Sequence, residues 1–432
     1  NGGLVVLAAD DPSMHSSQNE QDSRFYGKFA MIPILEPSTQ QEAYDMMKYA
    51  YALSEEKKLP VLLRVVTRLA HSRAGVVVND LMPQNALNPD KERTWVLLPA
   101  IARRQYASLV AKQPDLVESS EHSPYNGMNA FEGKAKLGVI ACGIAYNYVM
   151  ENDPQSLGIP VLKVSQYPLP EASIKALAAQ CESLLVAEDG QPLVEEQVKA
   201  ILGADYALKG RLTGDLPRMG ELTPDCVGAA LGVNIEQPYT EAQNVMPRPP
   251  ALCQGCGHRD VYDALNKVAA EYEGARIFGD IGCYTLGALP PFRAIDSCVD
   301  MGASITMAKG AADAGVFPAI AVIGDSTFTH SGMTGLLDAI NDNANITVIL
   351  SDNLTTAMTG GQDSAGTNKF EAICLGLGLA PEHVRVVVPL PKNMEEITRT
   401  IREEIEYKGV SVIIPRRECM QTLQRKLRNK KK

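Results

Sequence analysis

An α/β fold with doubly wound, mostly parallel sheets is predicted by three features of the sequence. Short runs of Val, Ile, Leu and Ala alternate with longer stretches of helical periodicity along most of the 432 residues. The short runs are continuously apolar rather than alternating, as expected of parallel strands buried on both faces. Two of them end in small polar residues that suit turns: Ala319–Ile323 runs into Gly324-Asp325-Ser326, and Ile346–Leu350 into Ser351-Asp352-Asn353.

The elements follow in order. Residues 4–8 read as a strand. Ser38 with Gln41 three positions on suggests a capped helix start, and Ala43, Met46, Met47 and Ala50 recur at helical spacing. Residues 60–66 are the next strand. From 76 to 132 the pattern fades into a linker with one helix near 99–112. A second α/β block spans 133–205, with strands at 137–141, 159–164 and 184–187 and helices near 143–151, 171–181 and 192–202. Residues 206–250 form a connector that ends in Pro247-Arg248-Pro249-Pro250. The last block, 251–432, alternates strands near 275–280, 319–323, 346–351, 384–388 and 411–414 with helices near 259–272, 303–314, 332–342 and 393–407. The basic run Arg425–Lys432 reads as a solvated tail. A chain of this length is expected to build two or three domains.

Hydrophobic residues are 45% of the chain, charged residues 21%, and the net charge is −10. That balance is globular, and its sign argues against nucleic acid as a partner. No apolar run is long enough to predict a membrane span, and no signal peptide is evident. The chain opens inside a strand without an initiating Met, as a fragment would. Nine cysteines, only two of them closely spaced, suit a reducing cytoplasm.

Asp325 and Asn353 are the first candidate site. A right-handed crossover would bring both strand ends to one carboxyl edge, where ligands of open α/β sheets bind. A carboxylate and an amide oxygen suit a hard cation such as Mg²⁺. The Gly324 turn and the following helix start would suit a phosphate. Ordinary strand-to-helix turns would use the same residue types. His258 and His330 could move protons or donate to a phosphate, or be structural. Cys253 and Cys256 form a Cys-x-x-Cys that could hold zinc, an iron–sulfur cluster or a redox pair, or could be a tight Gly-rich turn with free thiols.

The stretch from Gly324-Asp325-Ser326 through the helix to Asp352-Asn353 resembles the thiamine-diphosphate signature, with Ser326 in place of its last Gly and Asp352 in place of its first Asn. Five longer stretches are similar to the indolepyruvate branch of the 2-oxoacid:ferredoxin oxidoreductases: Ala9–Asp22, Cys253–Arg259, Gly279–Gly287, Gly324–Gly332 and Thr356–Gln362.

The resemblance implies that 1–75 is part of a pyrimidine-binding domain, that 133–205 is like the transketolase C-terminal domain, and that 251–432 is the diphosphate-binding domain. It implies Mg²⁺ on Asp325, Asn353 and the Thr355 carbonyl. Cys256, Gly257, His258, Gly324, Ser326 and Thr327 would line the diphosphate. A [4Fe–4S] cluster would use Cys253, Cys256 and Cys283, with Cys374 as a candidate fourth ligand. The reaction implied is oxidative decarboxylation of an aryl pyruvate to an aryl-acetyl-CoA, with coenzyme A as acceptor, a small (β) subunit as partner in a hetero-oligomer and ferredoxin as electron carrier. The family's activating Glu would stand upstream of Asn1, and no ferredoxin-like cysteine runs follow Cys419. A non-oxidative thiamine enzyme, or a non-catalytic cofactor-binding subunit, are the other readings.

Overall fold

The computed structural model describes residues 2–86, 95–235, 244–246 and 249–429. Pro247 and Arg248, in the predicted connector, and Lys430–Lys432, in the predicted tail, lie outside the described residues. Fifteen strands occur among the described residues: β1 Val5–Asp10, β2 Ile34–Leu35, β3 Val61–Val66, β4 Gly127–Met128, β5 Ala135–Cys142, β6 Val161–Val164, β7 Gln166–Tyr167, β8 Cys181–Ala187, β9 Ala207–Lys209, β10 Arg276–Gly279, β11 Ser297–Cys298, β12 Ala319–Gly324, β13 Ile346–Ser351, β14 Val384–Val387 and β15 Val410–Pro415. They form three mostly parallel sheets, and the α/β class is as the sequence predicts. Contacts divide the chain into two compact units, Asn1–Thr240 and Glu241–Lys432.

The first unit holds a four-stranded sheet of order β1-β3-β2-β7 and a five-stranded sheet of order β4-β6-β5-β8-β9. Four of its short strands, β2, β4, β7 and β9, were not anticipated. β7 pairs antiparallel with β2, and β4, from the stretch read as a linker, pairs antiparallel with β6. Two-residue strands carry no periodicity, so only tertiary pairing reveals them. The helix Gln40–Lys57 is capped by Thr39, one residue beyond the predicted Ser38; the Thr39 hydroxyl accepts the Glu42 N–H at 3.1 Å. Ser38 instead donates its own N–H and hydroxyl to the Glu42 carboxylate, at 2.8 and 2.7 Å. The predicted helix near 99–112 is Pro99–Ala111, and a second one, Gln113–Glu121, follows it at once.

Charge is buried deep in this unit. Arg24 and Arg64 are both 0% exposed. Arg64, on β3, donates to Asp10 at the end of β1 at 2.5 Å and to Glu36. Arg24 grips Asp22 through two bonds of 2.9 and 2.6 Å and meets Glu188 at 2.8 Å. Tyr167 also donates to Glu36, at 2.7 Å. Each carboxylate here survives burial only because a guanidinium faces it. The two arginines hold Asp22 down at about 2, against the upward push of burial.

The second unit is one six-stranded parallel sheet of order β11-β10-β12-β13-β15-β14. Its central strands are buried on both faces. Ile320, Val322, Ile349 and Ile413 pack against the helices Gly257–Ala269 and Met394–Glu406. Ala319, Ala321, Ile323, Val348 and Leu350 pack against Ala303–Asp313 and Met333–Asn341 on the other side. That two-sided burial explains the continuous apolar runs in the sequence. The basic C-terminal stretch is helical over Met420–Asn429 and has no buried residue. None of the described helices is long and apolar enough to cross a membrane.

Replacing Arg64 by Met should leave Asp10 and Glu36 buried without their shared partner. The expected loss is about 3–5 kcal/mol, read as a fall in the urea midpoint; an unchanged midpoint would mean that the network carries no stability.

Candidate functional site

β12 and β13 pair parallel over six residues, from Ala319↔Ile346 to Gly324↔Ser351. Their ends therefore leave the sheet side by side, and Asp325 and Asp352 emerge from the same carboxyl edge. After β12 the chain turns at once into helix, passes through a π-helical turn at Phe328–Gly332 and continues as Met333–Asn341. Such π turns recur at functional sites.

Asp325 is 3% exposed. Its Oδ1 accepts the Ser326 N–H at 2.6 Å and the Ser326 hydroxyl at 3.2 Å. Its Oδ2 accepts the Thr355 N–H at 3.3 Å, and Asn353 Oδ1 accepts that same N–H at 3.1 Å. Two side-chain oxygens from separate strand ends thus converge on one amide. The turn that allows this needs Leu354 in the left-handed region, at φ +63°. Burial first, and the Asp352 carboxylate beside it, push Asp325 up to about 6.

Gly324 has a steric reason to be glycine. A Cβ there would stand 2.5 Å from Cε1 of Tyr284. That ring is buried, with its hydroxyl donated to Asp280 and to the Ile281 carbonyl. Asp280 also accepts the Ser304 hydroxyl at 2.6 Å, and burial raises it to about 6. Thr327 donates to the Ile281 carbonyl at 3.0 Å. Ser326 shares a 2.6 Å hydroxyl contact with Thr356.

A cavity of about 110 Å³ adjoins this edge. Cys253, Cys256, His258, Cys283, Asn353 and Cys419 are among the residues that line it. Cys256 is the residue before the helix Gly257–Ala269 and makes no side-chain cap bond, and Gly257 and His258, at the helix start, line the cavity. His258 is buried, its Nδ1 lies 3.3 Å from the Cys256 sulfur, and burial drives it down to about 4. It is therefore neutral near pH 7. His330 is exposed, 3.0 Å from the Ser331 hydroxyl, and is not among the residues lining the cavity.

Burial first, then the neighbouring Cys256, Cys419 and Cys253, push Cys283 up to about 11. Cys256 is raised by burial too. Among the described residues no group of three His, Cys, Asp or Glu side chains is gathered tightly enough for a single metal ion. The candidate fourth thiol, Cys374, stands apart from the other three. Cys374 is 0% exposed in the apolar core beside Phe370 and Leu379, away from the cavity. Cys419 stands there instead, brought by the loop that follows β15.

Residues 280–414 match the family described as thiamine pyrophosphate enzyme, C-terminal TPP binding domain. The chain is 38% identical to indolepyruvate oxidoreductase subunit IorA of Methanothermobacter thermautotrophicus, over 97% of its own length and 71% of the relative's. It is 37% identical, over the same shares, to subunit IorA of Pyrococcus abyssi. The chain belongs to the indolepyruvate oxidoreductase subunit IorA family. Members of that family are thiamine-pyrophosphate-dependent oxidoreductases, and this chain is one of them. Among solved structures, a 2-oxoglutarate:ferredoxin oxidoreductase from Magnetococcus marinus aligns with 41% of this chain and 69% of that one, at 19% identity and a TM-score of 0.33. That likeness is too slight to bear on the argument.

In this member of the IorA family, sequence reasoning missed Cys419 and Tyr284, which stand at this edge. Cys419 offered only its place after a strand end. Tyr284 carried a signal, since it follows Gly282 and Cys283 in a quoted motif, but nothing in the sequence told which glycine its ring would cover. Replacing Gly324 by Ala would press a methyl into that ring. The expected loss is about 1–3 kcal/mol from overpacking, measured by thermal unfolding, and a wild-type midpoint would show that Tyr284 can move aside.

Proposed function

We propose that this chain binds thiamine diphosphate with Mg²⁺ at the ends of β12 and β13 and serves the oxidative decarboxylation of an aryl pyruvate. The acyl group would pass to coenzyme A and the electrons to a ferredoxin. The observation that carries the reading is the meeting of the Asp325 carboxylate and the Asn353 amide oxygen on the Thr355 amide, 3.3 and 3.1 Å away. Two hard oxygens from adjacent strand ends fit a divalent cation that holds a diphosphate. Asp325, Asn353 and the Thr355 carbonyl would hold the metal. Ser326, Thr327, Gly257, Cys256 and His258 would line the diphosphate, with open N–H groups at the helix start supplying positive potential.

When bound, the thiamine ring supplies a carbanion and an electron sink for loss of CO₂. The chain supplies the rest. Neutral His258 can donate or accept a hydrogen bond without adding charge. The Tyr284 ring closes the floor beneath Gly324. Cys253, Cys256, Cys283 and Cys419 would carry a [4Fe–4S] cluster as the first electron acceptor. A cluster spreads its thiolates over a cube, which suits thiols that share a cavity without converging on one point. Binding would have to displace the protons that burial keeps on Cys256 and Cys283. The relatives are named as subunits, which supports a hetero-oligomer with a small (β) subunit. His330, exposed on its π turn, is the weaker candidate for proton transfer.

Asp325→Ala should abolish Mg²⁺-dependent binding of thiamine diphosphate in calorimetry while the circular dichroism stays native; unchanged affinity would sink the site. The pH dependence follows from the same residue. Only ionised Asp325 can ligate, and its carboxyl sits at about 6. Mg²⁺ affinity should therefore drop roughly tenfold between pH 7 and pH 5. The sign is opposite for the metal-free fold. The folded carboxyl holds its proton more tightly than the usual 3.8, so this group's contribution is lost as pH rises through 6.

With its small subunit present, the protein should turn over phenyl-, hydroxyphenyl- or indole-pyruvate with a higher kcat/KM than pyruvate, followed by viologen reduction. Equal or better use of pyruvate would refute the substrate assignment.

A further inference from the structure

Asp352 is a carboxylate in the site that the cofactor reading leaves without a task. It is 1% exposed and stands beside Asp325 at the edge where an anionic diphosphate would arrive. A buried charge in that position, left alone, would repel the ligand and cost stability. It is not alone. Arg416 Nε donates to Asp352 Oδ2 at 2.6 Å. The other two guanidinium nitrogens take the Glu371 carboxylate in a fork, at 2.9 and 2.6 Å.

The backbone repeats the contact. β13 and β15 pair from Ile346↔Val410 to Ile349↔Ile413, and the same offset reappears beyond the strand ends as an isolated bridge between Asp352 and Arg416. Asp352 N–H donates to Pro415 O at 3.0 Å, Arg417 N–H to Asp352 O at 3.0 Å, and Cys419 N–H to Asn353 O at 3.1 Å. The segment after β15 is thus stapled to the turn that presents Asn353, and Arg416 is its only side-chain cation bonded to that turn among the described residues.

Resting on the diphosphate reading, we propose that Arg416 is a positioning residue for the cofactor site. Its guanidinium, anchored on Glu371, offsets the Asp352 charge, so that this carboxylate does not push the Asp352–Thr355 turn away from Asp325. The geometry separates charge from shape. If Arg416 matters because Asp352 is an anion, removing that anion makes Arg416 dispensable. If it only fills space, removing both hurts more than removing either.

The test is calorimetric titration of the whole chain with thiamine diphosphate in excess Mg²⁺, on wild type, R416Q, R416K and D352N/R416Q, each checked for folding by circular dichroism. R416Q should bind roughly tenfold or more weakly, since it strands a buried carboxylate. R416K should recover part of the loss, because an ammonium can reach one carboxylate but cannot fork both. The double variant should return to within about threefold of wild type, the mark of a coupled pair. R416Q binding like wild type, or a double variant no better than R416Q, would overturn the proposal. Should R416Q fail to fold, the double variant decides alone: folding and binding support charge compensation, and failure to fold overturns it. Absence of binding in the wild type is a different result, which removes the diphosphate reading and Arg416's role with it.

Discussion

The parallel pairing of β12 with β13 is the constraint on which the site depends. Six backbone rungs fix Gly324 opposite Ser351, and a slip of one residue would turn every side chain of a strand to the other face of the sheet. Both faces are packed, so such a slip would put the small Ala319 and Ala321 where Ile320 and Val322 now fill the opposite layer. The core therefore sets the register, and the register sets where Asp325 and Asn353 emerge. Packing energy in the middle of the sheet is spent on geometry at its end.

Around that edge the chain settles its polar groups by local partners rather than by exposure. Asp280 is satisfied by Tyr284 and Ser304, and Asp352 by Arg416. Asp325 has N–H and hydroxyl donors and, among the described residues, no bonded cation, so burial, with the Asp352 carboxylate beside it, raises its carboxyl. A buried carboxylate with neutral partners is the group with most to gain from a divalent ion. The contrast with the first unit is informative. There, Asp10, Asp22 and Glu36 all face guanidinium groups, and the two arginines hold Asp22 low. The same kind of burial leaves a carboxyl low where a guanidinium faces it and raised where neutral donors do.

The thiol cavity shares a wall with the oxygen site. Asn353 presents its amide oxygen toward Thr355, lines the cavity and accepts the Cys419 N–H on its carbonyl. One turn thereby touches both centres, which fits a protein that must pass electrons between them, as proposed above. The helix start at Gly257 adds open N–H groups to the same wall.

What the sequence determined by itself was local and periodic. Continuous apolar runs gave the parallel strands, since burial on both faces leaves that pattern, and the turns at Gly324 and Ser351 marked the carboxyl edge of the sheet. Short quoted motifs pointed to the cofactor. Two-residue strands such as β4 and β7, the shift of the helix cap from Ser38 to Thr39, and the helical state of Met420–Asn429 carried no such signal, because each depends on partners distant in sequence or on one competing hydrogen bond. The thiols of the cavity show the limit most plainly. Cys374 lay nearer to the recognised motif, and nothing in the order of residues opposed it. Only the sheet order decided otherwise: β15 inserts next to β13, so the loop after Pro415 passes along the Asn353 turn and carries Arg416 and Cys419 into the site, while Cys374 packs into the apolar core. Proximity along the chain is a local property, but adjacency across a parallel sheet is set by crossovers, and that is a decision of the tertiary structure.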